Sequence, residues 1–200
     1  MILEEEKPDI LVATGDLVDG MAPHLNHLSG LISARDFPLG KFAITGNHEF
    51  YAGLEGSIDF HQSSGFRMLR QEAVEVGEHL LIAGVDDPAG IYRGGGSMLD
   101  ENAALPEETD RFVLLLKHQP EAAPGSLGRF DLQLSGHTHK GQIYPFYHLV
   151  KRRYPMIAGL YDVGKGSQVY VNRGTGTWGP PLRFFSPPEV TIIKLVPSES

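Results

Sequence analysis

Short apolar runs alternate with turn-rich segments along most of this chain, and the lengths of these runs predict strands. The best-defined runs lie at residues 9–14, 41–45, 111–117 and 131–134. Runs of this length and composition are typical of buried strands. Residues 21–35 instead repeat apolar side chains at helical spacing, and residues 54–64 predict a shorter helix that stops at Gly65.

Two further apolar stretches, at residues 67–76 and 79–85, flank Gly77-Glu78, and this arrangement predicts a hairpin of two strands. After residue 140 the helical periodicity is lost, and we predict a run of antiparallel strands near 142–147, 157–162, 167–173 and 189–195. Strands interleaved with helices and followed mostly by strands indicate an α/β sandwich that contains a mixed sheet.

Composition narrows the class of protein. A length of 200 residues predicts one domain over residues 1–200. The chain has no cysteine, which excludes a disulfide scaffold, a thiolate metal site and a cysteine nucleophile. The net charge of −8 argues against nucleic acid as a partner. The longest unbroken apolar run, Phe112–Leu116, is too short to span a bilayer.

Polar residues suited to a metal site stand at the ends of the predicted strands. A buried strand is rigid, so the first polar side chain beyond its carboxyl end is aimed into the crevice there. A glycine beside that residue lets the backbone turn sharply. Asp, Asn and His at one rim would supply nitrogen and oxygen ligands. In chain order the motifs are Gly15-Asp16, Gly46-Asn47-His48-Glu49, Lys117-His118-Gln119-Pro120, Ser135-Gly136-His137-Thr138-His139 and Gly141-Gln142.

Each motif taken alone also has an ordinary structural explanation. A Gly-Asp pair after a strand is usually a turn, Asn47 can cap a turn, and His118 can be a buried hydrogen-bonding residue. The pair His137 and His139 is weak evidence in a chain with 9 histidines, although residues two apart on an extended chain face one side. Four strand-end motifs in this order, with glycines beside them, favour a metal site over four coincidences.

The order GD, GNHE, a single His after a strand, and GHTH resembles the calcineurin-like metallophosphoesterase superfamily. The segments VATGDLVDG, LSGHTHKGQIYPF and YVNRGTGTWGPPLRFFSPPEVTIIKL are similar to a bacterial phosphodiesterase branch that is often tethered to the membrane. The likeness extends over residues 7–195. It implies a four-layer αββα sandwich of two mixed sheets, with a two-metal centre at the strand ends.

The resemblance also implies a role for each motif residue. Asp16 would bridge two divalent ions, which the ligand types suggest are Mn, Fe or Zn, and His139 would bind the first ion. His48 would stand beside the scissile phosphate as a general acid or charge stabiliser. A hydroxide between the ions would attack a phosphodiester, a pyrophosphate or a phosphomonoester. The remaining ligands of the second ion would be Asn47, His118 and His137.

One departure from the family pattern lies at the start of the chain. The family begins with Asp-x-His at the end of its first strand, and no Asp-x-His precedes Asp16 here. We therefore expect Met1 to be an internal methionine of a longer protein, with the first core strand missing from this chain. The first ion would keep only Asp16 and His139, so this chain would hold one ion. The alternative function is a catalytically impaired scaffold that binds one metal ion or a protein partner.

The expected partner is a small phosphorylated substrate, lipid-linked molecules included. Membrane association would come from a segment before Met1, so both a cytoplasmic and a membrane-associated location in a bacterium stay open. The basic cluster Lys151–Tyr154 is either a solvated loop or a contact for a phosphate or an anionic lipid. Trp178 is either packed or exposed to lipid or substrate. We expect structural roles for His24, His27, His61, His79 and His148.

Overall fold

The structure is a computed structural model that describes residues 2–20, 25–95 and 101–196. Its strands form two sheets. The smaller sheet is parallel, in the order β1 (Leu11–Ala13), β2 (Lys41–Ala43) and β3 (Arg67–Met68). The larger sheet contains β4 (Glu72–Val76), β5 (Leu80–Gly84), β6 (Phe112–Leu116), β7 (Leu132–Ser135), β8 (Gly159–Gly164) and β9 (Ser167–Val171). Its order is β4-β5-β6-β7-β9-β8, and only the pairs at its two edges are antiparallel.

Short helices connect and cover the strands. The helices of the described residues are α1 (Ile2–Glu6), α2 (Asn26–Ser33), α3 (Asn47–Ala52), α4 (Leu54–Ser63), α5 (Ala89–Arg93), α6 (Glu101–Ala104) and α7 (Phe146–Arg153). A 3₁₀ turn follows β7 at His139–Gly141. Within residues 2–20, 25–95 and 101–196, no helix has both the length and the apolar composition needed to cross a bilayer.

The main core lies between the two sheets. Side chains of the smaller sheet and its loops pack there against side chains of the larger sheet, namely Phe42, Ile44 and Leu69 against Val76, Ile82, Leu114, Leu116, Leu132 and Leu134. Along β6 the side chains alternate, because successive residues of a strand face opposite sides. Leu114 and Leu116 enter this core, whereas Val113 and Leu115 pack on the other face with Ala104 of α6.

Helices also cover the outer face of the smaller sheet. Lys41 alternates with Phe42 along β2 and points away from the main core. Its buried Nζ donates to the carbonyl oxygens of Ile32 and Ser64, at 2.7 and 3.4 Å, near the ends of α2 and α4. The layers are therefore helix, sheet, sheet and helix. The predicted αββα sandwich is confirmed, with a smaller sheet that is parallel throughout its described strands.

The strand predicted at 67–76 is wrong as one element, because it divides into β3 and β4 in different sheets. The chain crosses between the sheets at Gln71, whose φ of 59° interrupts the extended backbone. Beside this crossing, the buried carboxylate of Asp86 forms an ion pair with Arg70, with 2.8 Å between Oδ2 and Nη2. The hairpin around Gly77 is confirmed, since Val76 pairs with Leu80.

The predictions after residue 140 are right only in part. Strands near 157–162 and 167–173 are confirmed as β8 and β9, but residues 189–195 form no strand and 142–147 leads into α7. The basic cluster that was predicted to lie in a loop therefore begins in the last turn of a helix. The periodicity failed here because α7 is only eight residues long and none of its side chains is fully buried, with Tyr147 and Val150 half-buried.

The first half of the chain follows its prediction more closely. The helix predicted at 54–64 is confirmed as α4, and the one predicted at 21–35 is present as α2. Residues 21–24, which include His24, lie outside the described residues. Helices α3, α5 and α6 were not predicted, since 4 to 6 residues are too few to show a helical period.

Candidate metal centre

Four of the predicted site residues follow the carboxyl ends of four strands. Asp16 comes after β1, Asn47 after β2, His118 after β6 and His137 after β7. The strands β1 and β2 are parallel neighbours in one sheet, and β6 and β7 are parallel neighbours in the other. Because parallel strands end at the same edge of a sheet, this topology gathers the four side chains from opposite sides of the core.

The donor atoms of these four residues lie close together. Nε2 of His118 is 3.0 Å from Oδ2 of Asp16 and 3.2 Å from Oδ1 of Asn47. Nδ1 of His137 is 3.1 Å from the same His118 nitrogen and 2.9 Å from Asn47 Oδ1. Asp16, His118 and His137 offer ligand atoms that all lie within 4.8 Å of one another.

The hydrogen-bond geometry of this donor set fits a cation, because lone pairs converge here when His118 is neutral. His118 Nδ1 donates to the carbonyl oxygen of Thr14 at 2.7 Å, so a neutral His118 has its lone pair on Nε2. Oδ2 of Asp16 and Oδ1 of Asn47 carry lone pairs only, and lone pairs that converge out of water are unfavourable without a positive charge among them. Donors around an ion at about 2.1 Å would stand about 3.4 Å apart, close to the separations of 2.9–3.2 Å seen here.

Ionisation within the cluster follows from the same contacts. Burial opposes charge on Asp16 and on His118, but their ion pair outweighs it. The pKa of Asp16 is lowered to about 2, and the pKa of His118 is raised to about 9. For His137, burial and the positive charge of His118 act together and lower the pKa to about 3. At neutral pH the carboxylate is thus ionised and His137 is neutral.

Two glycines allow the loops after β1 and β2 to meet at the site. Gly15 has a φ of +85°, and a side chain there would place Cβ 2.5 Å from the backbone nitrogen of Gly46 and 2.8 Å from Nδ1 of His118. A side chain at Gly46 would in turn overlap Asp16, with its Cβ 2.6 Å from the Asp16 nitrogen. Glycine is therefore required at these two positions by the close packing of the two loops.

Glu49 holds the loop of Asp16 in place, a role that its sequence motif did not predict. Its fully buried carboxylate accepts backbone N–H groups of Asp16, Leu17 and Val18 at 2.9, 2.9 and 3.2 Å. It also accepts the N–H of Gly46 at 2.7 Å, which satisfies the backbone donor at the N-cap of α3. One side chain thus joins the loops after β1 and β2. The available sequence signal was the third helical position of Gly46-Asn47-His48-Glu49.

His48 is tied to the cluster and to a carboxylate of its own. Its backbone N–H donates to Oδ1 of Asp16 at 2.9 Å. Its ring Nδ1 lies 2.8 Å from Oδ1 of Asp19, and its side chain keeps 16% of its surface exposed. Asp19, the second acidic residue of Asp16-Leu-Val-Asp19, was not predicted as a site residue. Its contact leaves Nε2 of His48 as the ring nitrogen available to a ligand.

His139 does not join the donor cluster. It is half-buried, and its Nδ1 accepts a hydrogen bond from Nη2 of Arg183 at 3.1 Å. Burial and the positive charge of Arg183 lower the pKa of His139 to about 4. In this neutral imidazole the remaining proton lies on Nε2, because an arginine can only donate. The role of His139 at a first ion therefore stays a prediction, and no sequence signal pointed to Arg183.

The fold and the donor set define an α/β protein with a candidate metal site, and comparisons with known proteins assign the family. The model of the calcineurin-like phosphoesterase domain matches residues 1–141. An uncharacterised metallophosphoesterase of Aquifex aeolicus is 44% identical over 97% of this chain and 75% of its own length. The chain therefore belongs to the calcineurin-like phosphoesterases, and its enzyme class is that of the metallophosphoesterases, which are hydrolases.

Other relatives are longer than this chain. An uncharacterised metallophosphoesterase of Campylobacter jejuni is 37% identical over 95% of this chain and 51% of its own length. A transmembrane protein with a metallophosphoesterase domain from Danio rerio is 35% identical over 97% of this chain and 47% of its length. The chain thus spans about half the length of both. One solved chain from Staphylococcus aureus has 16% identity and a TM-score of 0.46 over 87% of this chain and 42% of its own, a likeness that carries no information on activity.

Proposed function

We propose that this protein hydrolyses phosphate esters with the help of a divalent ion held by Asp16, Asn47, His118 and His137, and that His48 donates the proton. The observation that supports this best is the position of Asp16. One of its carboxylate oxygens belongs to the donor cluster, and the other accepts the backbone N–H of His48 at 2.9 Å. The candidate proton donor is thus held directly beside the candidate ion site.

The candidate ligand residues differ in charge and in donor atom. Asp16 supplies the negative charge, and Asn47 and the two imidazoles supply neutral donors that suit Mn, Fe or Zn. A bound divalent ion would polarise a phosphoryl oxygen and lower the pKa of a nearby water molecule. The carbonyl of Thr14 keeps the His118 ring oriented, because it accepts the proton on Nδ1. The sequence offers a second ion only Asp16 and His139 as ligands, so the proposal rests on a single ion.

His48 acts on the leaving group in this proposal. Asp19 accepts a hydrogen bond from Nδ1, which orients the ring and leaves Nε2 toward the ligand. Nε2–H can then donate to the ester oxygen as the P–O bond breaks, so that the product leaves as a neutral alcohol. A phosphodiester, a pyrophosphate and a phosphomonoester all provide such a leaving oxygen, and the substrate is one of these three.

Hydrolysis of two chromogenic esters tests the proposal. The chain with Mn²⁺ is expected to hydrolyse bis-p-nitrophenyl phosphate or p-nitrophenyl phosphate, and the ratio of the two rates separates diesterase from monoesterase. Removal of the ion with a chelator should abolish the activity. The proposal would fail if the chain bound Mn²⁺ tightly but hydrolysed neither ester and no pyrophosphate. That result would instead support the alternative function, a catalytically impaired scaffold.

Substitution of His48 should separate its role from that of the ion ligands. We expect His48→Ala to lower kcat by about 10²- to 10⁴-fold, the contribution of a positioned acid, with little change in Mn²⁺ affinity. Asp19→Asn should lower kcat less, since it weakens only the contact that orients the His48 ring. Asp59→Asn on exposed α4 is the matched control. An unchanged kcat in His48→Ala would remove His48 from the mechanism.

Ion binding should release one proton at pH 7. In the metal-free protein His118 is protonated because its pKa is raised to about 9, whereas Asp16 and His137, at about 2 and 3, have already lost their protons. Only His118 must then be deprotonated to bind an ion. We expect affinity to rise about tenfold per pH unit up to about pH 9. Calorimetry in buffers of different ionisation enthalpy measures the protons released, and a buffer-independent enthalpy would contradict the prediction.

A further inference from the structure

Large apolar side chains are exposed in two segments that follow the candidate metal centre in the chain. In the first segment Tyr144, Phe146 and Leu149 keep 53, 53 and 65% of their surface exposed. In the second segment the exposed side chains are Trp178, Leu182, Phe184 and Phe185, with exposures from 51 to 73%. Single exposed apolar residues are common on protein surfaces, but a group of seven is not.

The two segments lie side by side. Ile143 and Phe184 form an isolated parallel bridge, and the N–H of Phe184 donates to the carbonyl of Gln142 at 2.9 Å. The rings of Tyr144 and Phe185 are 6.2 Å apart between centroids. The Gln142 side chain also bonds the backbone of Trp178 in both directions, at 2.6 and 2.7 Å. The two segments are therefore joined by backbone bonds and by the contact of Tyr144 with Phe185.

The charge of this surface is opposite to that of the whole protein. Residues 139–161 and 172–188 contain no aspartate or glutamate, although the chain carries 25 acidic residues and a net charge of −8. Two of their basic residues are paired, Arg153 with Glu121 and Arg173 with Glu189. The basic residues of the two segments are Lys140, Lys151, Arg152, Arg153, Arg173 and Arg183.

We propose that these two segments form a docking surface for an anionic lipid bilayer, here called the α7 face and defined as residues 144–153 and 178–185. Helix α7 buries no side chain and ends in Lys151, Arg152 and Arg153. A short helix that exposes Phe and Leu together with Lys and Arg is suited to lie in the headgroup region of a membrane. Trp178 adds a side chain that favours the same depth.

The positive charge of the α7 face favours an anionic lipid surface over a neutral apolar protein as its partner. Each basic residue near an anionic membrane strengthens binding by about fivefold, and the exposed aromatic rings add apolar burial that a soluble anion would not provide. The surface also adjoins the candidate site, because α7 packs against the 3₁₀ turn that begins at His139. A side chain at Gly141 in that turn would place its Cβ 2.6 Å from the backbone nitrogen of Tyr147. Docking by the α7 face would therefore hold the candidate site close to the bilayer.

Flotation with lipid vesicles tests the proposal on this chain. We expect it to float with vesicles of phosphatidylcholine and phosphatidylglycerol at low salt, to bind less at high salt, and not to float with phosphatidylcholine alone. Joint substitution of Lys151→Gln and Arg152→Gln should weaken the partition coefficient by about thirtyfold, the loss of two charges. Leu149→Ser should weaken it by about tenfold or more.

Matched controls separate the surface from general effects. Leu31→Ser removes a leucine of equal exposure, 65%, on α2, and Lys165→Gln removes an exposed charge outside the α7 face. Both should bind vesicles as the unchanged chain does. Unaltered melting temperatures would show that the α7 variants are folded. Failure of the unchanged chain to bind anionic vesicles would overturn the proposal, and so would a dimer in light scattering that Leu149→Ser dissociates.

Discussion

Asp16→Asn should remove metal binding and activity together, because Asp16 is the only charged ligand in the cluster. We expect affinity for Mn²⁺ or Zn²⁺ to fall by at least about 10²-fold and kcat/KM by about 10³-fold or more, which corresponds to the several kcal/mol that an ion contributes. The variant keeps the size of the side chain and one carbonyl oxygen, so its fold should persist. Calorimetry and hydrolysis of p-nitrophenyl esters measure both effects.

The same substitution changes the titration of His118. The pair Asp16 Oδ2 and His118 Nε2, 3.0 Å apart, raises the pKa of His118, so the neutral asparagine should lower it. At pH 7, ion binding to this variant should then release less than one proton per chain, because part of the His118 is already neutral. Asp36→Asn, at an exposed position, is the control and should leave both measurements unchanged. Unaltered ion affinity in Asp16→Asn would contradict the assignment of the site.

Glu49→Gln should have the largest effect on stability. The amide keeps the volume of the carboxylate, but its NH₂ group would face two of the four backbone N–H groups that Glu49 accepts. Buried donors left without an acceptor, together with the lost charge-assisted bonds, should cost about 3–5 kcal/mol. For a chain of this size the melting temperature should fall by roughly 6–20 °C.

The position of Asp16 depends on the same hydrogen bonds, so ion affinity should also fall in Glu49→Gln. Glu55→Gln on α4 is the control, since that side chain is exposed and the substitution is chemically identical. Thermal unfolding followed by circular dichroism measures the difference. A melting temperature equal to that of the control would mean that the loops after β1 and β2 hold their conformation without Glu49.

Residues that follow strongly apolar strands were the most predictable part of the site. The strands β1, β2, β6 and β7 were each recognised from a run of apolar residues, and their carboxyl ends meet in the structure. Asp16, Asn47, His118 and His137 converge for this reason. His139 was predicted by the same motif but is bonded by Arg183, 44 positions further along the chain, and no local pattern contains that contact.

Helix α7 shows where the pattern of apolar residues fails. Hydrophobic periodicity indicates a helix only when one face of the helix meets a core, and α7 buries no side chain. Its apolar residues therefore predicted a strand at 142–147 that does not exist. The division of 67–76 has a related cause, since both halves are extended and only the pairing of strands sends them to different sheets.

The sequence was sufficient to predict the α/β sandwich, the family and the candidate ligands. Each of these follows from short segments, namely the order of the apolar runs and the polar motifs beside glycines. Contacts between distant segments depended on the packing of the two sheets. The contacts of this kind are Glu49 with the loop of Asp16, Asp19 with His48 and Arg183 with His139, and the exposed apolar residues of α7 form a surface of this kind. These contacts join residues that are far apart in the sequence, so a local sequence pattern cannot predict them.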